Sequence, residues 1–338
     1  MKITHTIKNT PNSCLRYQGI DLFMCIWYPI SRNRLRYPGG ITKMADNRHA
    51  YLIMAHHRPD LLVLLLEAID DVRNDIYLHI DAKSSIDSNI YLPQKSNLYF
   101  IPRNNVQWAG YSQVDCTLKL LKAAVQNGPY QYYHFLTGST FPLKNQDDMH
   151  AFFDAHKGTE FVGFDNHTTT IERVKYYHLF HESGKLTGLS GHIKSGLRES
   201  LKFIQKLLSV DLFKKYHLEY KKGFAYWSIT DDAARYLIDH EAVIYRMLRY
   251  SISGDEVFVQ VLLYNSQFKS KLYSLTDEWE GSLRECAWGS NIGVRPGCNY
   301  TYMDLEYLLN SNLCFALKFE GADGLALIKK IKEHKKIQ

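Results

Sequence analysis

The sequence predicts an α/β fold in which a doubly wound, mostly parallel sheet is flanked by helices. Two observations carry this reading. After His49, short apolar runs alternate with stretches whose apolar residues recur at helical spacing. The first of these runs is continuously apolar, as a strand buried on both faces requires.

The elements follow in order. Tyr51-Leu52-Ile53-Met54-Ala55 reads as the first strand. Pro59 and Asp60 open an amphipathic helix that runs to Ala68, with Pro suited to the first turn. Strands are expected at 76–80, 97–101, 133–136 and 160–164, with a helix over 112–125. Beyond Arg173 the pattern is less regular: a basic helix over 193–208, a strand over 225–229, a helix over 231–240 and another starting near Asp255. A late strand over 314–319 and a closing helix over 325–335 complete the chain. No internal repeat and no Pro/Gly-rich linker divides residues 44–338, which read as one domain. Residues 1–43 lack any sustained period and end in Tyr37-Pro38-Gly39-Gly40. They are expected to be a loosely held extension, or an over-called start with Met44 as the true first residue.

Composition narrows the function classes. Of 338 residues, 45 % are apolar and 22 % charged, ordinary for a protein with a real core. The net charge of +6 is mild and not gathered into a dense Arg/Lys stripe, which argues against a nucleic-acid partner. The C-terminal lysines, Lys329 to Lys336, fit the solvated end of a last helix. A second use for them is weak attachment to an anionic membrane surface. Six scattered cysteines form no CxxC pair and no disulfide framework, which fits a reducing compartment. The longest apolar candidate, residues 19–30, is broken by Asp21 and too short to cross a bilayer. Together these point to a cytoplasmic protein, docked at most on the inner face of a membrane. The 24 tyrosines suit sugar-binding clefts, where a ring faces the apolar side of a pyranose, and equally suit half-buried strands.

Ligands of such sheets bind at the carboxyl ends of strands. His56 and His57 follow the first strand, and Asp81-Ala82-Lys83 follows the second. A carboxylate there can accept from a base or a ribose, and Lys83 can meet a phosphate; turn residues have the same composition. Gly-rich phosphate loops of the GxGxxG and GxxxxGK[ST] types are missing. No Asp-X-Asp pair occurs either; Asp304-Leu305-Glu306 is nearest and looks like a helix face. A diphosphate bound here would need Arg or Lys to neutralise it.

The ordered motifs resemble a known family. His49-Ala50-Tyr51-Leu52-Ile53-Met54-Ala55-His56-His57 and Ile76-Tyr77-Leu78-His79-Ile80-Asp81-Ala82-Lys83 look like the opening of the core-2/I-branching β-1,6-N-acetylglucosaminyltransferases (glycosyltransferase family 14), in their bacterial branch. The resemblance continues through Trp108-Ala109-Gly110-Tyr111-Ser112, Leu136-Thr137-Gly138-Ser139-Thr140-Phe141-Pro142, Arg173-Val174-Lys175-Tyr176, Gly223-Phe224-Ala225-Tyr226-Trp227-Ser228, Asp255-Glu256-Val257-Phe258 and Phe315-Ala316-Leu317-Lys318-Phe319.

The resemblance implies a GT-A-type fold and an inverting transfer from a UDP-sugar, with UDP-N-acetylglucosamine leading, that needs no metal or other cofactor. The acceptor would be a hydroxyl of a surface glycan such as lipopolysaccharide, capsule or exopolysaccharide. Glu256 falls on the general base, and Arg295 and Lys318 on the pair that binds diphosphate. His56, Asp81 and Lys83 fall beside the nucleotide, and Trp288, Trp227, Tyr226 and Thr140 beside the acceptor or donor sugar. Thr140 stands where the family commonly has Asp, and Phe224 and Ala225 where it has Ser or Gln, so the sugar is the least defined part. Other readings stay open from the residues alone. Ser253-Gly254-Asp255-Glu256 has the form of a helix capping box. Arg295, before Pro296 and Gly297, fits a loop, and the tryptophans fit a core. Lys318, in an apolar strand, is unwelcome unless paired or catalytic. A protein that kept the fold and lost catalysis, binding nucleotide-sugar or carbohydrate, is the alternative from another class.

Overall fold

The computed structural model describes residues 46–166, 170–183, 187–287 and 299–338. The extension expected over residues 1–43, with Arg295 and Trp288, lies outside the described residues. The strands are β1 (Asp46–Ala55), β2 (Asn74–Ile80), β3 (Asn97–Ile101), β4 (Tyr130–Thr137), β5 (Phe141–Pro142), β6 (Phe161–Val162), β7 (Trp227–Ile229), β8 (Arg284–Cys286) and β9 (Phe315–Leu317). The helices are α1 (Pro59–Ala68), α2 (Tyr111–Asn127), α3 (Gln146–Ala155), α4 (Glu172–Lys175), α5 (Gly188–Leu207), α6 (Asp231–Asp239), α7 (Glu241–Leu248), α8 (Phe258–Tyr264), α9 (Glu278–Ser282), α10 (Leu305–Asn310) and α11 (Gly324–Lys335).

The main sheet has the order β3-β2-β1-β4-β7-β6. The first four strands run parallel, as β1 pairs with both β2 and β4 and β2 with β3. This is the doubly wound arrangement expected. The departure is β7, which runs antiparallel to β4 and to β6. A three-residue strand carries no signal of its direction, so the reversal is invisible before the chain is folded. A second sheet has the order β5-β9-β8.

Central strands are apolar on both faces because helices cover both. Every residue of β2 is buried, and all of β4 but its last. One core cluster lies under α2, α6 and α8, a second under α1 and α3, and a third joins α1 to α10 and α11. Between the sheets sits Arg284, fully buried. Its guanidinium donates to the Ser228 hydroxyl at 2.9 Å, the Trp227 carbonyl at 2.7 Å and the Ser282 carbonyl, and it lies 4.7 Å from the Phe315 ring centroid. Burial lowers its pKa to about 9. It fastens β8 and β9 to β7.

Register fixes the functional edge. Ala55 lies opposite Ile80, and Met54 opposite Thr137, so β1, β2 and β4 end together. Because β7 is antiparallel, its start at Trp227, opposite Phe135, reaches the same edge.

Candidate active site

Two groups of charged side chains occupy that edge. The first surrounds Glu256. Three chain segments must approach closely to build it, and glycines permit this. A Cβ on Gly223 would stand 1.9 Å from the Gly163 carbonyl oxygen, and one on Gly163 2.3 Å from the Glu278 carbonyl oxygen. The Gly223 amide donates to the Glu256 carbonyl at 3.0 Å, and the Asp165 amide to the Lys222 carbonyl at 2.9 Å. The neighbours of these glycines therefore converge.

Glu256 does not form the capping box that its sequence allows. Ser253 is left-handed, with φ of 53°, and caps nothing with its side chain. Its amide instead donates to the Ala109 carbonyl at 2.8 Å, which ties this turn to the start of α2. The Glu256 carboxylate is turned to Arg173, with which it forms an ion pair, and stands 3.9 Å from Lys222 Nζ. Lys222 is shared with Asp165 at 2.9 Å. Glu256 remains about one third exposed, open to an incoming hydroxyl.

Two carboxyl groups beside it, Asp255 and Glu278, carry their protons into the neutral range. Burial, reinforced by the charge of Glu256, raises Asp255 to about 7. Its Oδ2 accepts from Gln113 at 3.2 Å, while Oδ1 is closed from solvent without a partner. Glu278 is also raised to about 7, by burial against the opposing pull of Lys222, with Asp165 and Glu256 adding to the rise. Two carboxyl groups of the cluster therefore take up protons near neutrality, where ordinary carboxylates are ionised.

The second group surrounds Lys318, half-buried just past β9. Its neighbour Glu320 pairs with His57 Nε2 at 3.2 Å. Burial opposes the Glu320 carboxylate, yet Lys318, Ser139 and His57 hold its pKa below the ordinary value. Partial desolvation and the neighbouring His57 lower the His56 pKa against the pull of Glu320 and Asp81. Asp81 is 4 % exposed, and its oxygens accept the amides of Lys83 at 2.8 Å and Val106 at 3.1 Å. Lys83 Nζ donates to Asn105 Oδ1 at 2.8 Å. Asp81 and Lys83 thus organise the loop after β2, which is the turn role open to them from sequence.

Tyr226 and Cys286 belong to one apolar wall with Phe224, which follows Gly223, and Leu317, which precedes Lys318. Burial raises the Tyr226 hydroxyl, with Cys286 next and Asp255 and Glu320 adding to the rise. Burial likewise raises Cys286, which feels both Glu278 and Lys318. Phe224 and Leu317 pack with Cys286, and Phe224 stacks on Trp279 with ring centroids 4.6 Å apart.

The aromatic expectations divide. Tyr226 is half-buried at this wall. Trp227 is fully buried and stacks on Phe135 at 5.4 Å, so its ring is enclosed by the core and offers no face to a sugar. Thr140 is buried as well, its Oγ1 accepting the Thr137 amide at 3.2 Å. Sequence reasoning missed the roles of Arg173, Lys222, Asp165, Glu278 and Trp279. Gly163 and Gly223 were the available signal, as glycines flanked by Asp165 and Lys222.

A mostly parallel α/β sheet with its charged groups gathered at the strands' carboxyl edge is the architecture of a GT-A-like glycosyltransferase. The Core-2/I-Branching enzyme family model matches residues 49–302, and the chain belongs to that family. The chain is 24 % identical over 289 residues to the mouse N-acetyllactosaminide beta-1,6-N-acetylglucosaminyl-transferase, a match covering 80 % of this chain and 68 % of that protein. It is 23 % identical over 331 residues to the pig "Probable beta-1,3-galactosyl-O-glycosyl-glycoprotein beta-1,6-N-acetylglucosaminyltransferase 7", covering 87 % and 73 %. The human N-acetyllactosaminide beta-1,6-N-acetylglucosaminyl-transferase is 23 % identical over 297 residues, covering 80 % and 68 %. The protein is a glycosyltransferase, which implies a nucleotide-sugar donor and a glycan acceptor.

Proposed function

We propose that the enzyme transfers N-acetylglucosamine from UDP-N-acetylglucosamine to a glycan hydroxyl with inversion and without a metal ion. The acceptor class proposed is a surface glycan such as lipopolysaccharide, capsule or exopolysaccharide, elongated on the cytoplasmic side. The observation that carries this reading is the release of Glu256 from capping and its pairing with Arg173, beside Asp255 and Glu278 near 7.

In a single displacement the acceptor oxygen bonds to the anomeric carbon as the bond to the diphosphate oxygen breaks. The acceptor proton passes to Glu256, and the bonding pair leaves with UDP. Lys318 stabilises the charge gathering on that diphosphate, with Arg295 as the second cation of the pair. The absence of Asp-X-Asp supports cationic side chains in this role.

The test is turnover of UDP-N-acetylglucosamine in EDTA, with hydrolysis to UDP as the readout when no acceptor is supplied. Wild-type activity is expected to survive EDTA. Glu256→Gln is expected to lower turnover by about 10²–10⁴-fold, the range for a general base, with donor-induced thermal stabilisation retained. Donor binding with no turnover in the wild type would favour the binding-protein alternative. Activity abolished by EDTA and restored by a divalent ion would refute the metal-free step.

A further inference from the structure

The helix α5 is turned inside out. Its apolar residues fall on one side of the helical wheel: Leu189, Ile193, Leu197, Phe203, Ile204 and Leu207. A surface helix ordinarily buries such a face. Here these six side chains are between 49 % and 79 % exposed. The inward residues are Gly191 and Gln205, and the Gln205 amide grips the backbone of Tyr177, accepting from its N–H at 2.8 Å and donating to its carbonyl at 3.0 Å. Lys202 and Lys206 pair with Glu172 of α4 at 2.7 and 2.8 Å. The helix is therefore held to the protein by its polar side, leaving its apolar side outward.

The border of this face identifies what covers it. Lys194 and Arg198 flank this face on α5, while Lys202 and Lys206 are turned to Glu172 and Glu199 is the helix's one acidic residue. Beside the helix, Tyr177 and Tyr250 are exposed, with ring centroids 5.3 Å apart, and Arg249 lies over the Tyr250 ring at 4.8 Å. An outward apolar stripe edged with Lys, Arg and Tyr matches the depth profile of a headgroup region, with acyl chains below and anionic charge at the rim. A second copy of the chain pressed face to face would bring like charges together. We propose that α5 is an interfacial helix that seats this enzyme on an anionic bilayer surface, with its axis in the plane of the headgroups. This replaces the C-terminal lysines as the point of membrane contact.

The experiment is co-sedimentation of the full chain with vesicles of phosphatidylcholine containing phosphatidylglycerol, and with phosphatidylcholine alone. Binding is expected to the anionic vesicles, to weaken as salt is raised, and to be slight without phosphatidylglycerol. The variant carrying Leu197→Ser, Phe203→Ser and Leu207→Ser is expected to bind at least about ten-fold less, as three large apolar side chains no longer leave water. The three side chains are exposed, so its thermal midpoint is expected to stay close to wild type. A second variant, Lys194→Glu with Arg198→Glu, keeps the apolar stripe and is expected to lose preference for the anionic vesicles. No binding by the wild type, or equal binding by both variants, would overturn the proposal. So would concentration-dependent self-association, without vesicle binding, that the triple-serine variant abolishes, since the face would then cover a second copy. Protease protection of residues 1–45 that this variant removes, again without vesicle binding, would assign the face to the chain's own N-terminal segment and overturn the proposal too.

Discussion

Asp255→Asn is expected to stabilise the protein, and to do so more at alkaline than at acidic pH. In the unfolded chain this carboxyl takes up its proton near the ordinary 3.8, while in the folded protein it does so near 7. Between those values the folded state holds the extra proton, so stability falls as pH rises through this window and levels off above about 7. Asparagine has the same shape and no charge to desolvate, so it escapes the loss. Three pH units correspond to roughly 4 kcal/mol at 1.36 kcal/mol per unit, and about half remains after allowing for solvent at this half-buried position. That is about 2 kcal/mol, or roughly 4 °C in melting temperature for a domain of this size. Thermal melts of both proteins from about pH 4 to pH 8 should show curves that meet at the acidic end and separate through neutrality. In a Glu256→Gln background the separation should shrink, because the Glu256 charge is the second cause of the raised value. A difference independent of pH, or an asparagine variant less stable throughout, would refute the account of this cluster.

Glu278→Gln should follow the same sign for the same reason, opening a stability advantage between about 4.5 and 7 in thermal melts. Lys318→Ala should cost about 3 kcal/mol of transition-state stabilisation, read as a loss in kcat/KM of about a hundredfold, with Lys318→Arg recovering part of it. Trp227→Ala should destabilise the fold by about 3–5 kcal/mol in denaturant unfolding, because its fully buried ring leaves a cavity in the core cluster under α2, α6 and α8.

Much of the fold was legible because burial on both faces leaves a strong mark. The apolar run of β1, the Pro59 that starts α1 and the period of α2 lie where composition puts them. What was hidden depends on partners distant in sequence. β7 is short enough to read as a strand without revealing that it runs backward. The spacing Ser253 to Glu256 offered capping, and the left-handed backbone at Ser253 removed it, freeing the glutamate for an arginine 83 residues away. Asp81 and Lys83 showed their position at a strand end, but not that loop amides and side chains would engage them. The period of α5 marked an amphipathic basic helix; which side faces inward is decided by Gln205 and Tyr177, and periodicity says nothing about that.

The one-turn helix α4 spans only Glu172–Lys175, yet two consecutive residues in it reach in different directions. Glu172 clasps two lysines of α5, and Arg173 clasps Glu256. A single peptide unit thus separates the partners of an outer helix and of Glu256. Neighbouring side chains of one short turn hold that helix and the Glu256 carboxylate together, so a substitution that displaces α4 would be felt at both.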